Sequence, residues 1–369
     1  MPGGAFLILE DGRVFRGDGF GSPGLALGEV VFNTAMSGYQ EILTDPSYAG
    51  QIVALTYPHI GNYGVNDDDV ESGGIFLAAL VVRAYEDFYS NWRATASLAE
   101  YLKRYGVVGL SGIDTRALTR HIREAGAMRG AVGVGDYDEG EVLAQVLASP
   151  AMAGRDLVRE VTRDAVEVFA PPAGDVRWRV AALDCGIKNN ILRELGRRGV
   201  EVTVFPASAS SRDILAARAD GFFISNGPGD PAALPYVVDL VKDFLGRMPV
   251  FGICLGHQVL GLALGGRTYK LKFGHHGANH PVKNLRTGRV EITSQNHGFA
   301  VDAASLPAGV RVTHVNLNDG TLEGLRADDW AAMGLQYHPE AAPGPHDSSY
   351  VVDVFLEMLQ RRTQKTFGF

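Results

Sequence analysis

The two halves of the chain carry different patterns of hydrophobic and polar positions. From residue 180 onward, short apolar runs alternate with segments of helical period. Residues 180–183, 200–205, 221–225 and 249–253 read as strands. Helices are expected over 189–198, 211–218, 233–245 and about 256–264. In the third of these, Leu234, Val237, Val238, Val241 and Phe244 share one side. Strands alternating with helices predict a mostly parallel sheet flanked by helices. Beyond Gly266 the alternation fades, with further strand candidates at 289–293, 311–316 and 333–336 and a closing helix at 350–361. The first half reads as a smaller α+β domain. Its short strands (5–9, 30–33, 51–55, 75–82, 131–134) stand between glycine-rich turns, and helices are expected over 93–105 and 115–124, the latter with Asp114 as N-cap. Ser149-Pro150 closes a helical pattern and Pro171-Pro172-Ala173-Gly174-Asp175 reads as a break. The expected division is a domain over 1–152, a linker over 153–178 and a second domain over 179–369.

Composition narrows the function classes. At 46% hydrophobic and 21% charged residues, the 369-residue chain is an ordinary globular one. Its charge is −8, from 34 basic and 42 acidic residues, with no basic block, so nucleic acid is not an expected partner. Apolar runs such as 75–82 fall far short of the roughly 18 residues of a membrane span. Met1-Pro2-Gly3-Gly4 lacks a basic start, and no signal peptide is expected. Two cysteines, Cys185 and Cys254, cannot build a disulfide framework; a reducing, cytoplasmic setting is expected.

The sharpest chemical signal is Gly252-Ile253-Cys254-Leu255-Gly256, a nucleophile elbow with cysteine in place of serine. A strand precedes it and a helix follows. The turn lifts the side chain to the carboxyl end of the sheet, where open α/β sheets place their sites. A cysteine nucleophile needs a base and an orienting acceptor. His338-Pro339-Glu340 supplies both. Proline pushes His338 into extended chain, and residues two apart in extended chain share a side. Asn226-Gly227-Pro228-Gly229-Asp230 ends another strand and exposes backbone N–H groups suited to an oxyanion. No lysine follows as in a phosphate-binding loop, so no ATP site is expected in this chain. His257 stands one helical turn from the thiol, and His297 at a strand end. His275, His276 and His280 form a cluster without carboxylate or cysteine at ligand spacing, so no metal is expected. Residues 272–281, with their glycines and proline, read as an exposed loop and a candidate contact surface or ammonia exit.

Residues 252–258 with His338-Pro339-Glu340 resemble the class I, triad-type glutamine amidotransferases over about 179–365. Residues 33–48 (Asn-Thr-Ala-Met-Ser-Gly-Tyr-Gln-Glu-Ile-Leu-Thr-Asp-Pro-Ser-Tyr), 58–64, 112–116 and 272–281 are similar to the small chain of carbamoyl-phosphate synthetase. The resemblance runs essentially end to end. It implies a catalytic triad of Cys254, His338 and Glu340 that hydrolyses glutamine through a glutamyl thioester. Backbone N–H groups near Leu255 and Gly229 would form the oxyanion hole. Ser47, Gly227, Gly229, Gln258, Asn296, Gly298 and Phe299 would hold glutamine, with Ser47 contributed by the first domain. Ammonia would pass to a large synthetase chain using bicarbonate, ATP and magnesium, leaving this chain without a cofactor. Cys185 stands where that family usually has an aromatic residue and raises the question of a second reactive thiol. The alternatives are a free-standing γ-glutamyl hydrolase on the same elbow, which would not need the first domain, and a non-catalytic scaffold, against which the intact triad argues.

Overall fold

A computed structural model describes residues 4–366; the Met1-Pro2-Gly3 start lies outside the described residues. The chain divides into two compact units. Met1–Ala153 with Lys272–Gly277 form the first, and Gly154–Leu271 with Ala278–Phe369 form the second.

The first unit is built on a closed seven-stranded barrel. Closure comes from Ala5–Leu9, which pairs antiparallel with Val14–Gly21 on one side and with Met128–Val134 on the other. The strand is apolar throughout because both of its faces are covered. Leu7 and Leu9 point into the barrel core with Val30, Ile52 and Leu110. Phe6 and Ile8 point outward, under Val142 and Val146 of helix Glu139–Ala148. The strand at 51–55 matches expectation residue for residue, whereas 75–82 narrows to Ala79–Val81. Strands Val14–Gly21 and Val108–Ser111 were not legible, the former because glycine and charge interrupt its alternation. Helix Thr115–Ala125 is capped by Asp114, whose side chain accepts from Ala117 N at 2.9 Å. The other expected helix is shorter, Leu98–Arg104, because a capping box between Ser97 and Glu100 starts it late.

The second unit has a ten-stranded sheet. Its five central strands run parallel in the order Val200–Pro206, Trp178–Asp184, Gly221–Ile224, Val250–Ile253, Ala332–Leu335. Antiparallel strands extend it beyond Ala332–Leu335. Alternation along Trp178–Asp184 sends Ala181 and Leu183 into the core under helices Pro235–Phe244 and Leu255–Ala263. Val180 and Ala182 go to the other face, under Asn189–Arg197 and Val351–Thr366.

Two expectations need correction. Residues 154–178 are not a linker: helix Val158–Val161 packs into the second core, and Glu167–Phe169 adds an antiparallel edge strand beside Val200–Pro206. The residues that looked like a break, 171–175, interrupt only the path between two strands of one sheet. Residues 272–281 are not an exposed loop. They belong to strand Thr268–Asn284, and His275 and His276 are buried. Backbone hydrogen bonds from Ala127 N to Lys272 O and from Thr34 N to His276 O draw the stretch into the first unit.

Candidate active site

The elbow forms because two backbones pass too closely for any side chain. A Cβ at Gly252 would meet Gly256 O at 2.4 Å, and one at Gly256 would meet Ile224 O at 2.1 Å. Between them Cys254 adopts φ 53° and ψ −107°, a conformation that side-chain-bearing residues hold only under tertiary constraint. The constraint is visible: Cys254 N donates to Leu335 O at 2.8 Å, and Cys254 O accepts the first helical bond from Gln258 N at 3.1 Å. Leu255 opens the helix, so its N–H has no partner in the helical ladder and is available to an oxyanion.

Register delivers the base. Ile253 pairs with Leu335 on the neighbouring parallel strand, so Cys254 and His338 emerge beyond the same edge of the sheet. His338 N donates to Ser294 O at 2.9 Å and anchors the histidine against strand Val290–Val301. Its Nδ1 lies 2.6 Å from Glu340 Oε1, with both side chains buried. Burial alone would disfavour the imidazolium. The Glu340 carboxylate and the neighbouring Cys254 outweigh burial and move the imidazole well above its ordinary range. Glu340 moves the opposite way: burial opposes its charge, but Lys188 and His338 hold it ionised.

Lys188 is the functional residue that the sequence reading missed. It is almost fully buried, and its Nζ donates to Glu340 Oε1 at 3.1 Å and to Ala341 O at 2.6 Å. It follows strand Trp178–Asp184, in a turn organised by Asp184, whose Oδ1 accepts from Gly186 N and Ile187 N. A lysine next to an expected helix reads as a solvated N-terminal residue; only the fold brings it under Glu340.

The remaining expected residues fall into three groups. Asn296, Gly298 and Phe299 lie on strand Val290–Val301 beside the nucleophile, and the Cys254 thiol donates to Asn296 O at 3.4 Å. Gln258 Nε2 donates to Phe299 O at 2.7 Å and to Gln336 Oε1 at 3.1 Å, which leaves its Oε1 as the group that can meet a ligand. Gly227 and Gly229 sit where backbone is close: a Cβ at 227 would meet Cys185 O at 2.0 Å, and Gly229 has φ +88°. Ser47 lies in the first unit, buried in the short turn Pro46–Tyr48 that Asp45 caps.

Two competing residues are not part of this arrangement. His257 is wholly buried against Gly334, and desolvation holds it down to about 3, hence neutral. His297 is spent on its own strand, Nδ1 at 2.8 Å from Phe299 O and Nε2 at 3.0 Å from Gln295 Oε1. Cys185 is a core residue whose thiol burial pushes far above its ordinary range, so it is no second nucleophile.

An elbow cysteine with a His-Glu pair on a mostly parallel sheet defines a class. Residues 181–358 match the model of the glutamine amidotransferase class-I family, and residues 7–132 match that of the carbamoyl-phosphate synthase small chain, CPSase domain. The chain is 51% identical to the carbamoyl phosphate synthase small chain of Syntrophotalea carbinolica, over 98% of this chain and 99% of that one. It is 53% identical to the small chain of Chlorobaculum tepidum, over 97% and 98% of the two. With the chloroplastic small chain of Arabidopsis thaliana it shares 50%, over 98% of this chain and 87% of that one. The chain therefore belongs to the carbamoyl phosphate synthase small-chain family, with a class I glutamine amidotransferase domain as its second half. No helix among the described residues is long and apolar enough to cross a membrane.

Proposed function

We propose that this chain hydrolyses L-glutamine at Cys254 and delivers the ammonia to a separate large synthetase chain, which makes carbamoyl phosphate from bicarbonate and ATP. The observation that carries the reading is the emergence of Cys254 and His338 beyond the same edge of two paired parallel strands, with Glu340 at 2.6 Å from the histidine.

The chemistry runs in two halves. His338 takes the Cys254 thiol proton as the sulfur attacks the side-chain amide carbon of glutamine, and the developing oxyanion meets the N–H groups of Leu255 and Gly229. His338 protonates the nitrogen as the C–N bond breaks, which releases ammonia and leaves a glutamyl thioester. His338 then takes a proton from water as that water attacks; the C–S bond breaks, and glutamate and the free thiol form. Glu340 holds the imidazole by Nδ1 so that Nε2 serves the reaction, and Lys188 keeps Glu340 ionised. Asn296, Gly298, Phe299, Gly227 and the Oε1 of Gln258 surround glutamine. ATP, magnesium and bicarbonate belong to the partner, in keeping with the missing phosphate-binding motif.

End-to-end likeness to small chains supports this reading over a free-standing γ-glutamyl hydrolase, which would not need the first domain. The test is the rate of glutamine hydrolysis by the chain alone, with the large chain, and with the large chain plus ATP and bicarbonate. A slow isolated rate that rises markedly on full supply is expected. An isolated rate equal to that of the supplied complex would return the hydrolase reading.

A further inference from the structure

The proposed chemistry leaves unused a large cavity beside the closing helix. It lies wholly in the second unit, between strands Val310–Asn316, Leu322–Ala327 and Ala332–Leu335 and the closing helix Val351–Thr366, and measures about 630 Å³. Met333, Leu335, Val351 and Met358 close its base as buried core residues, and the apolar surface open to a ligand belongs to Leu285, Val312 and Val354. No residue of the triad borders it.

Its mouth is cationic. Arg286, Arg311, Arg326 and Arg361 line it against only two carboxylates, Asp328 and Glu357. Arg311 and Arg326 share Asp328, and Arg361 reaches Glu357 at 3.5 Å. Arg286, on the exposed turn after Asn284, makes no ion pair among the described residues. Four guanidiniums less two carboxylates leave an excess of two positive charges, in a chain whose net charge is −8. His314 also lines the cavity, but its ring is buried. His314 is 8% exposed; its Nδ1 lies 2.9 Å from Thr313 Oγ1, and its Nε2 has no hydrogen-bond partner among the described residues. Burial, with Arg286 adding to it, keeps the ring neutral. Arg286 is therefore the unspent donor at the mouth.

We propose that this cavity binds a small amphipathic anion, with an apolar body against Leu285, Val312 and Val354 and a carboxylate or phosphate head at Arg286. A guanidinium fork suits either head, because both offer paired acceptor oxygens. The surplus positive charge disfavours a cation, and the apolar surface gains nothing from bare phosphate.

The full chain is titrated with anilinonaphthalene sulfonate, an apolar body carrying one sulfonate, and the emission is followed. Saturable binding is expected, weakened roughly tenfold or more in Arg286→Ala as for loss of a hydrogen bond to a charged group, with Arg286→Lys in between. The uncharged relative phenylnaphthylamine is expected to bind both proteins alike. Competition by octanoate and by octyl phosphate then identifies the preferred head, and displacement by either supports the site. An unchanged melting temperature and glutamine hydrolysis rate in Arg286→Ala show that the fold persists. Equal sulfonate affinity in the parent and Arg286→Ala, or no displacement by either octyl anion, overturns the proposal.

Discussion

At the scale of single residues, the two cysteines separate by environment. Cys254 is held in a strained elbow beside a buried His-Glu pair, and Cys185 is packed in the core. Cys254→Ser is expected to lose glutamine hydrolysis while the complex with its large chain still uses added ammonia. Cys185→Ala is expected to leave the glutaminase rate unchanged. Comparable glutaminase loss in both variants would remove the distinction. The triad and Lys188 predict a ranking measured as kcat. His338 moves protons, so His338→Asn should cost more than the ~10²- to 10⁴-fold typical of one acid–base group, because base and nucleophile act as a unit. Glu340→Gln should cost less. Lys188→Met should resemble Glu340→Gln in activity and also lower the melting temperature, since removing one partner of a buried pair typically costs about 3–5 kcal/mol. A kcat for Lys188→Met equal to that of the parent would restrict the lysine to a structural role. The pairing of His338 with Glu340 could be read from residue types and motif spacing. Lys188 could not, because its meaning depends on Glu340, which is remote in sequence.

At the scale of elements, the glycines sort into those the backbone requires and those it does not. Gly256 approaches Ile224 O, which is part of a central strand and cannot move aside, so Gly256→Ala should abolish soluble expression or activity. Gly298 has open space around its missing Cβ, so Gly298→Ala should leave the melting temperature within about 2 °C. If Gly298 lies against glutamine, the same variant raises KM with little change in kcat. An unchanged KM would take Gly298 out of the substrate contacts. The elements of the second half were legible because each parallel strand is a self-contained apolar run with a helix after it. In the first half, the capping signals at Asp114 and at Ser97 with Glu100 are local, and each starts its helix. Val14–Gly21 escaped because its strand character comes from partners, Ala5–Leu9 and Val108–Ser111, rather than from its own glycine-rich pattern.

At the scale of the whole molecule, buried histidines make stability depend on acid. His257 is held down to about 3 and His314 to about 4, both by burial first, against an ordinary 6.5. Each is neutral in the folded chain and free to protonate in the unfolded one. Below pH 6.5 the unfolded chain binds more protons, so stability falls as pH drops from 6.5 toward 4, by up to about 1.4 kcal/mol per pH unit for each ring. Thermal midpoints across that window should decline, and His314→Gln should flatten the decline; a flat parent profile would contradict the neutral buried rings. What the sequence by itself determined was whatever local chemistry encodes: the elbow, the His-Pro-Glu motif, the alternation of strand and helix, and the family. Tertiary structure alone decided the barrel's closure, the enlistment of residues 154–178 in the second sheet and of 272–277 in the first unit, and the burial of Lys188 under Glu340. The physical reason is common to all of these: strand partnership and the pairing of a buried charge are relations between residues distant along the chain, and no local pattern of hydrophobicity, turn chemistry or capping carries them.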